Sequence, residues 1–258
     1  MKKILFASIA LISLVLFSSC KKDDPLAYFE ATGTMKQIQY ADHKYFIQQD
    51  DHTALIVENS GAYPFKRTEQ RVLLGYYLLN KEKVSSFPYD GITEIWNIRP
   101  TALDTIYTKN TVLTKGEQDD DLYGTSQIAV AINPAFFPTT LIEDGYLNLC
   151  FSVLGYLGSF HIINVVTGTD PEDPYKLVLR HKIVEENSSD VLTSSGEPDD
   201  TGIGGYRFNG MINFPLNSLP DTKGETVKVT LSWDSFVSGQ TETAEFEYKS
   251  RSDWNNAN

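Results

Sequence analysis

Short runs of alternating polarity limit what this chain can become. Along residues 146–153, Leu147, Leu149, Phe151 and Val153 share one face, while Asn148, Cys150 and Ser152 share the other. Val227, Val229, Leu231 and Trp233 repeat the pattern against Lys228, Thr230 and Ser232, and Ala244, Phe246 and Tyr248 do so against Glu245 and Glu247. A period of two belongs to a β-strand, whose successive side chains point to opposite faces. No long segment places apolar residues at helical spacing. With 159–166, 175–182 and 205–216 added, these segments predict antiparallel strands with one wet face, stacked as a β-sandwich.

An earlier set of strands is predicted at 28–39, 44–48, 53–58, 70–79, 93–99 and 105–114. Residues 72–79 are apolar on both faces apart from Gly75, so this strand is expected to be covered on both sides, with Gly75 at a bend or bulge. The result is an all-β chain in two halves, each large enough for its own core. The boundary is expected near 118–126, and 185–201, rich in Ser, Asp and Gly, reads as a long loop.

The N-terminus is of another kind. Lys2 and Lys3 precede 14 nearly unbroken apolar residues, 4–17. At ~1.5 Å per residue this helix would reach about 21 Å, short of the ~30 Å bilayer core, so residues 1–19 read as a signal peptide. Phe17-Ser18-Ser19-Cys20 resembles the lipobox of bacterial lipoproteins, with Phe where Leu is usual. That resemblance implies cleavage before Cys20, lipidation of Cys20, and a tether over 20–27; several acyl chains anchor stably where one is marginal. An ordinary cleaved signal with an incidental cysteine is the alternative. Lys22-Asp23-Asp24 resembles the lipoprotein export signal of the Bacteroidota, which implies display on the outer face of the outer membrane; the alternative is a plain solvated tether.

Charge agrees with an exposed location. The chain carries 22 Lys and Arg against 34 Asp and Glu, and loss of residues 1–19 removes two lysines and no acid, taking the net charge from −12 to −14. With no basic patch, nucleic acid is excluded as a partner class. Cys150 would then be the one thiol left and reads as a small buried hydrophobe.

Two groups of motifs carry a wider resemblance. Arg71-Val72-Leu73-Leu74-Gly75-Tyr76-Tyr77-Leu78-Leu79 and Thr111-Val112-Leu113-Thr114-Lys115 resemble the N-terminal domain of NigD-like lipoproteins. Asp144-Gly145-Tyr146-Leu147-Asn148-Leu149, His161-Ile162-Ile163-Asn164 and Leu179-Arg180-His181 resemble that family's C-terminal domain. The resemblance implies an OB-like β-barrel at 28–118, a β-sandwich at 126–250 and a polar tail at 251–258. The anchor, the two β modules and the lack of catalytic signatures point to a non-catalytic binding or accessory lipoprotein holding a protein or glycan. The alternative is a bacteriocin-immunity or envelope-protection protein acting by protein–protein contact, since the family name derives from a bacteriocin-associated operon.

Catalytic signatures of the metalloprotease, serine hydrolase, P-loop and Cys-x-x-Cys kinds are missing, and no enzyme activity or cofactor is expected. Gly202, Gly204 and Gly205 begin a dinucleotide-like loop, but Arg207 stands where the last glycine is needed, so they read as loop glycines. Of His43, His52, His161 and His181, the last two lie on neighbouring predicted strands and could face each other near Glu185 or Asn164. Two ligands do not make a zinc site, and no metal is expected. Asp119–Asp121, Asp170-Pro171-Glu172-Asp173 and Asp199-Asp200 lack the spacing of a calcium loop and read as solvated charge, with 170–174 an ordinary turn. Tyr40, Tyr45, Tyr76, Tyr77, Tyr156, Phe136 and Phe137 are divided between core packing and exposed stacking surfaces for a sugar or protein. Trp254 is given no role.

Overall fold

The structure, a computed structural model, describes residues 26–50, 52–58, 61, 64, 67–133, 135, 137–156, 159–185, 197–198 and 206–251. The expectations for residues 1–25, for Phe136, Asp199, Asp200, Gly202, Gly204, Gly205 and Trp254, and for the Glu185 side chain fall outside them.

Five strands, β1 (Tyr28–Tyr40), β2 (His43–Gln48), β3 (Thr53–Val57), β4 (Glu69–Lys83) and β5 (Glu94–Thr105), close a barrel in the order β1-β2-β3-β5-β4. Only the β3–β5 pair in this barrel is parallel. This is the closed, OB-like half. In β1, Ala31 and Met35 point into a core shared with Ile47, Leu55, Val72, Leu74, Tyr76 and Ile98. Phe46, Ile56 and Ile95 build a second cluster under Phe87 and Tyr89. The β4–β5 register slips between Gly75 and Tyr76, which is the expected bulge. A Cβ at Gly75 would come within 2.5 Å of the Tyr28 hydroxyl, so the bulge also seats that ring. Double-sided cover of β4 ends early, since Tyr77 is exposed and Leu78 and Leu79 are half-buried.

Pairing passes from barrel to sandwich directly after Thr105. β6 (Tyr107–Thr108) runs parallel to a later strand of one sandwich sheet, and β7 (Val112–Leu113) does the same in the other. The predicted single strand over 105–114 is therefore a strap that leaves the barrel some ten residues before the expected boundary. Its two strands are too short to show alternation of their own.

The remaining elements are a 3₁₀ turn (Gly116–Gln118), α1 (Asp119–Tyr123), β8 (Ala129–Val130), β9 (Leu141–Glu143), β10 (Tyr146–Gly155), β11 (Ser159–Thr167), β12 (Lys176–Glu185), β13 (Glu197–Pro198), β14 (Tyr206–Pro215), β15 (Val227–Asp234) and β16 (Thr241–Tyr248). One sheet runs β13-β14-β10-β8, with β6 on β14 and β9 on β10; the other runs β16-β15-β12-β11-β7. The long ladders β10–β14, β11–β12 and β15–β16 are antiparallel, whereas β12–β15 is parallel. Between the sheets lie Leu147, Leu149, Val165, Leu177, Phe214, Val229, Leu231 and Trp233. These are the apolar faces that alternation marks out.

One local expectation needs correction. Asp119 is buried rather than solvated: its carboxylate accepts from the Thr114 hydroxyl at 2.5 Å and the Lys115 amide at 2.6 Å, tying strap to helix. Asp170, by contrast, does sit in an ordinary turn, accepting from the Glu172 amide at 3.0 Å.

Candidate functional site

The face of β10 opposite the sandwich core is closed to water over the first half of the strand, while Ser152 further along stays partly exposed. Asn148 is fully buried and Cys150 nearly so. Cys150 behaves as the expected small hydrophobe, with its thiol pushed up to about 11 by burial. Asn148, in contrast, faces the barrel across a seam built wholly from polar side chains.

Register explains the barrel's side of that seam. The pairs Thr34↔Arg71 and Lys36↔Glu69 of β1 and β4 put four side chains on the outer face of the barrel wall. From the sandwich come Glu143 at the end of β9, Asp144 in the turn, and Tyr146 and Asn148 from β10. Asp144 has φ 47° and Gly145 φ 75°, two successive left-handed residues that make the tight hairpin aiming both acids at the barrel. Arg251, expected in a polar tail, instead closes the seam and is 9% exposed.

Three cations meet three carboxylates here. Arg71 donates to Thr34 at 2.7 Å, Glu143 at 2.8 Å and Asn148 at 3.0 Å, and Glu143 also accepts from Thr32 at 2.7 Å. Arg251 grips Glu69 with two parallel bonds of 2.7 and 2.8 Å, and Tyr146 donates its hydroxyl to the same carboxylate. Both guanidiniums lie over the Tyr146 ring, at 5.2 Å for Arg71 and 5.9 Å for Arg251. Lys36 donates to Gln48 at 2.7 Å and sits 3.2 Å from Asp144.

The titration behaviour follows. Burial pushes the Glu69 carboxyl up, but Arg251, the Tyr146 hydroxyl and Lys36 outweigh it and hold the group below the usual carboxylate range. The Tyr146 hydroxyl is driven up by burial and by the adjacent Glu69 charge.

Beside this seam a cleft of about 550 Å³ opens between barrel and sandwich. Lys36, Asp144 and Arg251 form its buried floor, and exposed residues such as His52, Asp90 and Lys223 form its rim. Asp144 Oδ2 lies 3.2 Å from Lys36 and 3.6 Å from Arg251, close enough for ion pairing, yet no well-directed hydrogen bond reaches it among the described residues.

The candidates named from sequence lie elsewhere or scatter. His161 and His181 do face each other, as expected: Nδ1 of His161 is 2.9 Å from Nε2 of His181, whose own Nδ1 is 3.0 Å from the Gln127 carbonyl. That carbonyl requires a proton on His181 Nδ1, so in the neutral pair His161 donates to His181. Burial and the His181 neighbour lower His161 to about 4, and burial lowers His181. Asn164 is turned away, accepting from Lys109 at 2.7 Å. Among the described residues, no three His, Cys, Asp or Glu side chains are grouped to hold a metal. His52 reaches the cleft rim, and His43 opens β2. Tyr45 and Tyr76 are core, and burial pushes the Tyr76 hydroxyl up to about 12. Tyr40 packs on Phe87, whereas Tyr77, Phe137 and Tyr156 are exposed. Cys20, Lys22, Asp23 and Asp24 lie outside the described residues.

Sequence reasoning missed Lys36, Glu69, Glu143 and Arg251 altogether, and quoted Arg71, Asp144 and Tyr146 only within motifs. A charge at a strand position in phase with small polar residues, as in Thr32, Thr34 and Lys36, is the signal that was present.

Comparison with known proteins agrees with this architecture. A toxin-related protein of Parabacteroides distasonis is 26% identical, aligned over 89% of this chain and 96% of that one, with a TM-score of 0.58. A protein of unknown function from Bacteroides vulgatus shares the fold at 18% identity, TM-score 0.59, over 88% and 93% of the two chains. So does a NigD-like immunity protein from Bacteroides caccae, at 16% identity and TM-score 0.51, over 88% and 100%. No curated protein matches the chain. Residues 110–195 match the family model of the NigD-like C-terminal beta sandwich domain. The match begins within the strap that joins the sandwich sheets and takes in β10, β11 and β12 of the second module.

Proposed function

We propose that this chain is a lipid-anchored lipoprotein, displayed on the outer face of the outer membrane, that acts as a non-catalytic binding or accessory module through the cleft between its two β modules. The observation that carries this reading is the pairing of the cleft floor. Lys36, Glu69, Asp144 and Arg251 hold one another in a fixed array. Catalysis needs an acid or base poised to exchange a proton near the working pH. A carboxylate gripped by a guanidinium fork offers a fixed shape and charge, which suits recognition. The basic pair, the apolar run at 4–17, Cys20 and Lys22-Asp23-Asp24 support the anchor and its display.

A second reading, immunity or envelope protection by protein–protein contact, is favoured by one surface. Phe160, Ile162 and Val184 are exposed on neighbouring strands β11 and β12, with Phe160 directly opposite Val184. The Bacteroides caccae protein, named as an immunity protein, shares the fold.

Fractionation tests the anchor that both readings share. Cys20→Ser is expected to release the protein from the membrane fraction. Unchanged membrane association would remove the lipoprotein reading.

A further inference from the structure

We propose that the interdomain cleft takes a short, uncharged glycan, whose hydroxyls bridge the Asp144 carboxylate and the cations beside it. This inference rests on the binding-module reading above and names the ligand class of that site.

Charge balance is the first ground. Lys36, Lys223, Lys249 and Arg251 line the cleft together with Asp90, Asp144 and Asp221, and Glu69 stands directly behind Arg251. Four positive groups thus face four negative ones. A balanced field offers no net attraction to an anion or a cation, and either would meet like charges on entry. A neutral ligand rich in polar groups meets no such opposition.

Hydrogen-bond supply is the second. Asp144 is almost wholly buried, with 3% of its side chain exposed, and its Oδ2 lacks a directed donor among the described residues. Its two ion-pair contacts leave that acceptor without a directed hydrogen bond, so the site favours a partner with a donor. Lys36 Nζ and Arg251 Nη1 stand 3.2 and 3.6 Å from that same oxygen. A ligand group placed there must donate to the acid and accept from a cation at once. A hydroxyl does both, whereas an ammonium only donates and a carboxylate only accepts. Vicinal hydroxyls on a sugar ring supply several such groups at fixed spacing.

Shape is the third. The volume, about 550 Å³, falls in the range of roughly 300–1,000 Å³ common to small-ligand clefts. The half-buried Tyr89 ring adds an apolar wall against which the C–H face of a sugar can pack.

The test uses the full chain, purified in detergent, on an array of short neutral hexose oligosaccharides, with uronic-acid and sulfated oligosaccharides as the charged arm. Envelope proteins are offered to the same preparation in a separate pull-down. The strongest neutral binder is then titrated calorimetrically against the wild type, Asp144→Asn and Tyr89→Ala. Asn tolerates the left-handed backbone at 144, and Tyr89→Ala removes the ring beside Lys36 without changing a charge, so melting curves identify any variant that has lost its fold. The expected result is binding of neutral oligosaccharides, weakened about tenfold or more by each folded variant. Binding that both variants leave unchanged would overturn the cleft as the site. Binding confined to charged oligosaccharides would overturn the ligand class while the binding-module reading stands. No glycan binding, with a specific envelope protein captured, would overturn this inference alone; no binding of either kind would overturn both.

Discussion

Strand β10 touches two interiors that obey different rules. Leu147 and Leu149 enter a dry core of aliphatic and aromatic side chains, while Asn148, between them, enters a seam of arginine, glutamate and threonine. The first excludes water, and the second is largely withdrawn from it, with Glu69 and Glu143 still partly exposed. In the first, stability follows from apolar area, at roughly 25 cal/mol per Å², and is tolerant of direction. In the second, each charge has lost much of its hydration and depends on a partner at a set distance and angle. The core can hold a module together by itself, but the seam fixes how one module sits against the other.

The largest effect is expected from breaking the seam at its centre. Arg71→Met takes the cationic partner from Glu143, leaving it the Thr32 hydroxyl, and removes a donor from buried Asn148, and denaturant titration is expected to show a loss of about 3–5 kcal/mol. Arg71→Met combined with Glu143→Met is expected to recover much of that loss, because the double change removes the stranded charge as well. A double variant no better than the single would show that the seam is not governed by pairing. Next comes Leu231→Ala in the dry core, expected to cost about 2–5 kcal/mol in the same titration, with the value set by the cavity left behind. No second substitution in the manner of the seam pair is expected to rescue it. A rescue by a polar partner would blur the distinction between the two interiors.

Acid sharpens the comparison at a smaller scale. His161 stays neutral in the fold down to about 4 but takes up a proton near 6.5 once unfolded, and His181 shifts in the same direction. Its folded pKa is lowered, so protonation favours the unfolded chain. Stability is therefore full above about 6.5 and declines as pH falls toward about 4. Glu69, also lowered, contributes above the ordinary carboxylate range and loses that contribution on further acidification through its folded pKa. Melting curves are expected to show the midpoint falling by several degrees between pH 7 and 5, with His161→Phe reducing that first decline. A midpoint flat over this range would contradict the buried, neutral histidine pair.

The same contrast explains what could be read from sequence. Alternation exposes an apolar face because any apolar neighbour satisfies it, and so Val229, Leu231 and Trp233 were assignable without knowing what covered them. It cannot say what covers the polar face. Asn148 alternates with leucines whether it meets solvent or Arg71, and the wet face predicted for β10 proved to be the seam. Arg251 was unreadable for another reason: its partner Glu69 lies 182 residues earlier, and nothing near Arg251 in the chain announces a fold-spanning contact. His161 and His181 were legible because neighbouring strands in register bring close positions together. The strap at 106–113 was not, since its two-residue strands borrow their ladders from distant partners.

The central claim is that six mutually paired charges make the barrel and the sandwich one cooperative body. Scanning calorimetry of the full chain near neutral pH tests it most directly. A single transition with equal calorimetric and van't Hoff enthalpies is predicted for the wild type, splitting into two in Arg71→Met. Two separate transitions in the wild type would contradict the claim.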